Sequence, residues 1–222
     1  MAETGCSLKT GKLRRPAPLG ALPALLFGLL SMGISLAAHG ATILVWGDSL
    51  SAAYNLPVEK GWVSLLQDRV QRRDIKVING SIPGATAAGG ARRIDQALNT
   101  HAPALLILAL GANDGLQGKA PAAMREQLEY IINAAQTAGA KVLLLGMQVP
   151  PNYGKAYSDD FAAVFAALAA DYALGFVPFL LEPVALDFDL FQADGLHPTA
   201  AAQPQLLEHV WPQLEPLLPE QR

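Results

Sequence analysis

A chain of 222 residues with 51% hydrophobic and 16% charged side chains is long enough for one domain with a substantial core, and short for two. Its formal net charge of −3 excludes the strongly basic character expected of a protein held by nucleic acid or an anionic membrane surface. A single cysteine, Cys6, excludes a small disulfide-stapled scaffold.

The first element is not part of a fold. Lys9, Lys12, Arg14 and Arg15 precede the apolar run LGALPALLFGLLSMGISLAA, and small residues follow at Ala37, Ala38, Gly40 and Ala41. A basic start, an apolar middle and a small-residue exit predict a secretory signal peptide over 1–40, cleaved after Ala38 or Gly40. An uncleaved anchor is the rival, because the run is about long enough to span a bilayer; Pro23 and the small-residue exit favour cleavage. Pro-Ala-Pro after Arg14-Arg15 argues against a twin-arginine signal, and Cys6 lies before the run, where it is badly placed for lipidation. The expected product is exported, periplasmic or secreted, with no stable membrane insertion. Residues 41–222 then keep 12 basic and 18 acidic side chains, a formal charge of −6, and no cysteine.

From Ala41 onward, apolar runs alternate with helical patterns. Strands are predicted at 41–46 (ATILVW), 75–79 (IKVIN), 104–110 (ALLILAL), 141–147 (KVLLLGM) and, short and weak, at 175–178 (GFVP). Their near-continuous Ile, Leu and Val are the mark of strands covered on both faces. Helices are predicted at about 59–72, 86–99, 119–138, 158–173 and 199–216, with Gly139 closing the third. Repeated strand–helix–strand units imply one α/β domain over 41–222, with a parallel sheet and helices on both faces.

In such a sheet, ligands bind beyond the carboxyl ends of the strands. The residues after the first three predicted strands are GDSLS, GSIPGAT and GANDG, and ADGLHPTA stands near the C-terminus. Each alone has a plain reading: Asp48-Ser49 as a cap or turn, Asn113-Asp114-Gly115 as a turn, His197 as a surface histidine. Together they supply one reaction. Ser49 offers a nucleophilic hydroxyl, His197 a base, and Asp194 a carboxylate that can reach the imidazole Nδ1. The backbone N–H groups of Ser49 and Gly84, with the Asn113 amide, are candidate oxyanion donors. Pro83 has no N–H but leaves that of Gly84 intact. No H-E-x-x-H and no cysteine pair is present, so neither a metal nor a cofactor is expected.

GDSLS, NGSIPGAT, GAND and DGLHP, in this order, resemble the four blocks of the GDSL, or SGNH, hydrolase family. The resemblance covers most of 41–222. It implies a three-layer α/β/α flavodoxin-like fold with a five-stranded parallel sheet. It further implies Ser49 as nucleophile, Gly84 and Asn113 as oxyanion donors, and His197 as base with Asp194 behind it. Asp48 belongs to the motif but is expected to brace the loop. Position 51 is Ser, so the G-x-S-x-G elbow of the α/β-hydrolases is absent. GDSLSAAYNLP with the later VPPNYGKAYSDDF is similar to the periplasmic thioesterase I/lysophospholipase/arylesterase branch. There the second stretch forms the acyl-binding side, which points here to Val149, Pro150, Asn152 and Tyr153. Trp46, Pro83 and Ala85 depart from that branch and bear on substrate preference. The expected partner is a small-molecule or lipid acyl ester, met by a monomer. The alternatives are a carbohydrate O-acetylesterase of the same family and a non-catalytic small-ligand binding module.

Overall fold

The computed structural model describes residues 40–219, together with 1–3 and 5. The expected signal segment, including Cys6 and the cleavage position after Ala38, therefore lies mostly outside the described residues.

Five strands form the sheet: β1 (Ala41–Gly47), β2 (Ile75–Asn79), β3 (Leu105–Ala109), β4 (Lys141–Leu145) and β5 (Gly175–Val177). All neighbours pair in parallel, in the order β2-β1-β3-β4-β5. All five residues of β3 are buried, as the unbroken apolar run LLILA requires of a central strand. The described residues hold six α-helices, in chain order α1 (Trp62–Val70), α2 (Ala87–His101), α3 (Ala112–Leu116), α4 (Pro121–Thr137), α5 (Lys155–Asp171) and α6 (Gln203–Leu214). Helices α1 and α6 pack on one another, while α4 packs on both α2 and α5. This is the expected three-layer α/β/α sandwich with a five-stranded parallel sheet. The chain runs from β1 to β2 on one side, then crosses back over β1 to form β3 on its other side. The switch point, where such sheets bind ligands, thus lies between the carboxyl ends of β1 and β3.

Local chemistry sets several element ends. Thr86 caps α2, its Oγ1 accepting from Gly89 N at 3.2 Å. Pro121 opens α4 at its first position, where a missing N–H costs nothing. Gly139 adopts φ +85° after α4, as a left-handed helix exit requires.

Several boundaries differ from expectation, among them α5, which begins at Lys155 rather than 158, and β4, which ends at Leu145 rather than 147. The stretch read as a turn, ANDGL, is a short helix, α3, because Gly111 enters it at φ +118°. Residues 58–60 form a 3₁₀ turn, so α1 begins only at Trp62. The last helix begins at Gln203, with Pro204 in its first turn, rather than at 199, and ends in a 3₁₀ turn over Glu215–Leu217.

Trp46 belongs to the core. It is 3% exposed, and its Nε1 donates to Gly90 O at 3.3 Å while the Arg93 guanidinium lies 4.2 Å from its ring centroid. A Cβ at Gly80 would sit 2.7 Å from two atoms of the indole, so a glycine on β2's exit makes room for the large ring on β1.

Candidate active site

The site begins where β1 ends. A Cβ at Gly47 would lie 3.0 Å from Ser51 Cβ and Oγ and from Ser81 Oγ, so only glycine lets the strand exit there undisturbed. Asp48 then turns inward and is 1% exposed. Its Oδ1 accepts from Leu50 N at 3.0 Å, and its carbonyl accepts from Ser51 N and Ala52 N at 3.2 and 3.0 Å. Asp48 thus braces the loop, as expected. Burial pushes its carboxyl up to about 6, against the opposing pull of the Leu50 N–H.

Ser49 follows on the outer side of this turn, and His197 Nε2 lies 2.9 Å from its Oγ. His197 Nδ1 lies 2.7 Å from Asp194 Oδ2, and Asp194 Oδ1 accepts from His197 N at 3.0 Å and Leu196 N at 2.9 Å. An ionised carboxylate only accepts, so Nδ1 carries the proton and Nε2 is left to accept from the serine hydroxyl. The two backbone N–H groups, and after them the imidazole, hold Asp194 down at about 2. The residues around His197 form a tight hairpin: Phe191 bridges Pro198, Gln192 N donates to His197 O at 2.7 Å, and Thr199 N donates to Leu190 O at 2.7 Å. Gly195 supplies its positive φ of +67°.

Gly84 is the third residue of a turn from Ile82 to Ala85, closed by Ala85 N donating to Ile82 O at 3.0 Å. Proline before a glycine at φ +76° is the type II pattern. Neither Ser49 N–H nor Gly84 N–H donates to another group among the described residues. Asn113, on α3, donates from Nδ2 to Ala85 O at 3.0 Å and to Asp48 Oδ2 at 3.3 Å. Its amide thereby ties the loops after β1, β2 and β3 together.

The stretch expected to form the acyl-binding side packs on α3. Val149 is buried, and a Cβ at Gly115 would lie 2.5 Å from its Cγ1. Tyr153 Oη donates to Leu116 O at 2.7 Å, and Tyr157 Oη to Lys119 O at 2.8 Å. Pro150 and Tyr153 are half-buried and Asn152 is exposed. Val149 therefore supports the loop from beneath, while Asn152 and one side of Tyr153 remain open.

Three contributors escaped the sequence reading. Asp114, 3% exposed, accepts from Ala87 N at 2.7 Å and so fixes α3 to the start of α2. A buried carboxylate beside Asn113 was hidden in an Asn-Asp-Gly run that reads as a turn. Tyr54 lies with its ring centroid 4.4 Å from that of His197, and Gln192 Nε2 donates to both Tyr54 O and Pro198 O. No sequence signal marks either as a neighbour of the histidine.

Residues 45–203 match the GDSL-like lipase/acylhydrolase family. The chain belongs to this family. Among its relatives, esterase TesA of Pseudomonas aeruginosa is 50% identical over 183 residues, covering 82% of this chain and 91% of the relative. An arylesterase of Vibrio mimicus is 44% identical, covering 76% and 85%. Thioesterase 1/protease 1/lysophospholipase L1 of Escherichia coli K12 is 36% identical, covering 89% and 93%. A crystal structure of TesA matches with a TM-score of 0.77 at 50% identity, covering 80% of this chain and 99% of that one. This GDSL-family chain is a serine ester hydrolase with the SGNH-hydrolase fold, which removes the non-catalytic binding module as an alternative. Among the described residues, no helix is long and apolar enough to cross a membrane, and no group of three or more His, Cys, Asp or Glu could hold a metal ion.

Proposed function

We propose that this GDSL-family esterase is exported and cleaves carboxylic esters and thioesters of broad acyl range through an acyl-enzyme on Ser49. One observation carries the reading: the unbroken chain from Ser49 Oγ to His197 Nε2 at 2.9 Å and from His197 Nδ1 to Asp194 at 2.7 Å. The relatives' names, spanning esterase, arylesterase, thioesterase and lysophospholipase, support a broad acyl range. The basic, apolar and small-residue order of residues 1–40 supports export.

In this mechanism Ser49 Oγ attacks the ester carbonyl while His197 Nε2 takes its proton, and Asp194 stabilises the imidazolium. The tetrahedral oxyanion receives the Ser49 and Gly84 N–H groups, both without an internal acceptor. Asn113 Nδ2 supplies a third donor by yielding the longer of its two bonds, that to Asp48. His197 then protonates the leaving alcohol or thiol as the carbon–oxygen or carbon–sulfur bond breaks. Water, deprotonated by the same imidazole, attacks the acyl-enzyme and releases the acid and Ser49. Asn152 and the open side of Tyr153 form one wall of the acyl site.

The test is a panel of p-nitrophenyl esters and acyl thioesters of rising chain length, with Ser49→Ala as control. Turnover across the panel, abolished in Ser49→Ala, is the expected result. A sharp fall beyond acetate would return the carbohydrate O-acetylesterase.

A further inference from the structure

The imidazole of a general base must stay aimed at its serine, yet the last torsion of a histidine is a broad, soft one. Asp194 fixes Nδ1 from one end of the ring. Something must also hold the ring face, and here the contact comes from the serine's own loop.

Tyr54 lies five residues after Ser49. Its ring sits 4.4 Å centroid to centroid from that of His197, tilted by 37°. The Tyr54 side is itself pinned to the histidine hairpin by Gln192. One amide, Gln192 Nε2, donates to Tyr54 O at 3.0 Å and to Pro198 O at 3.1 Å, while Gln192 N donates to His197 O at 2.7 Å. These contacts join two segments more than 130 residues apart in sequence, the one that carries Ser49 and the one that carries His197. The His197 side chain remains 19% exposed and Tyr54 38% exposed, so the core does not hold this arrangement; the clamp does.

We propose that Tyr54 and Gln192 are positioning residues for the base: Gln192 docks the histidine hairpin on the serine loop, and the Tyr54 ring holds the imidazole plane and stabilises the imidazolium formed in the transition state. This rests on the reading of His197 as general base. The neutral imidazole gains only ring packing from Tyr54. Once it has taken the serine proton it is a cation within about 6 Å of an aromatic centroid, the range in which a π face attracts positive charge. The added attraction arises only as the reaction proceeds, so it acts on kcat and not on substrate binding. The hydroxyl of Tyr54 has no part in this; the ring does.

Steady-state kinetics on a p-nitrophenyl ester, with thermal unfolding of each variant, test the clamp. Tyr54→Leu is expected to lower kcat about tenfold with KM within about twofold, a loss equivalent to about 1.4 kcal/mol. Tyr54→Phe is expected to recover most of that loss. Gln192→Ala is expected to lower kcat as well, and the double variant Tyr54→Leu/Gln192→Ala to lose less than the product of the two single effects, since both act on one hairpin. The rate of serine labelling by a fluorophosphonate should fall in step with kcat. Unchanged kcat in Tyr54→Leu, a rise in KM at constant kcat, or no recovery in Tyr54→Phe would overturn the proposal. If Tyr54→Leu does not fold, Gln192→Ala decides, and full kcat there overturns it. His197→Ala separates the two readings. Turnover retained in that variant sinks the base assignment, whereas an inactive His197→Ala beside a fully active Tyr54→Leu sinks the clamp alone.

Discussion

Asn113 Nδ2 donates to Asp48 Oδ2 at 3.3 Å, so the residue next to the proposed nucleophile holds the proposed oxyanion amide. The same carboxylate is 1% exposed and is pushed up to about 6 by burial. The loop brace and the proposed oxyanion donor therefore share one buried carboxylate.

Asp48→Asn should reveal that cost. With its folded-state pKa raised from 3.8 to about 6, Asp48 keeps a proton in the folded protein that the unfolded chain releases between pH 4 and 6. Stability from this group is present below about pH 4 and falls as pH rises to 6. Two pKa units correspond to about 3 kcal/mol. Urea unfolding of both proteins at pH 4 and pH 7 should show the variant gaining up to about that much relative to the wild type. Parallel pH profiles would contradict the account. Activity should fall at every pH, because an asparagine puts an NH2 donor in place of one of the two oxygens that accept from Leu50 N and Asn113 Nδ2.

Asp194 shifts in the opposite direction. Its carboxyl is held down at about 2 by the backbone N–H groups of His197 and Leu196. Its contribution to stability is present above about pH 4 and is lost as pH falls from 4 to 2. Asp194→Asn should lower stability at pH 7 by less than that shift alone implies, since its side chain is 38% exposed and solvent screens the charge. The same change should lower kcat by about 10²- to 10⁴-fold, because an amide no longer enforces the tautomer that leaves Nε2 free to accept. An active Asp194→Asn would remove the aspartate from the mechanism.

Two glycines separate chemistry from packing. A Cβ at Gly84 meets nothing within 4 Å, but the residue sits at φ +76°. Gly84→Ala should cost about 1 kcal/mol of stability and a larger share of kcat, by displacing the turn that presents its N–H. At Gly90 a Cβ would lie 2.3 Å from Leu110 Cδ1. Gly90→Ala should destabilise by about 1–3 kcal/mol with kcat unchanged in the folded fraction. Thermal unfolding and active-site titration together would show whether the two variants divide this way.

Tyr153→Phe removes the 2.7 Å bond to Leu116 O and loosens the loop on α3. Turnover of acetate esters should persist, while kcat/KM for long acyl chains changes by about fivefold, the rate equivalent of one hydrogen bond. An identical chain-length profile would remove this loop from the acyl site.

Much of this was legible in the residues. Apolar strand runs and their helical spacing predict the α/β/α architecture, and the post-strand positions predict where Ser49, Gly84 and Asn113 lie. Asp194 and His197 are readable as a pair because three residues in one turn suffice to join them. What stayed hidden depends on tertiary contact. The turn-like letters of ANDGL form a helix because Gly111 enters it with a positive φ and Asp114 anchors it to Ala87. Trp46, a departure from the related branch, lies in the core, where Gly80 and Gly90 make room for it. The Tyr54–Gln192–His197 contacts join segments more than 130 residues apart, which no local pattern encodes.

The most direct test is mass spectrometry of the protein after inactivation by a fluorophosphonate, with residual ester turnover followed in parallel. A single adduct is expected on the peptide carrying Ser49, formed in proportion to the activity lost. An adduct on another residue, or full loss of turnover with Ser49 unmodified, would contradict it.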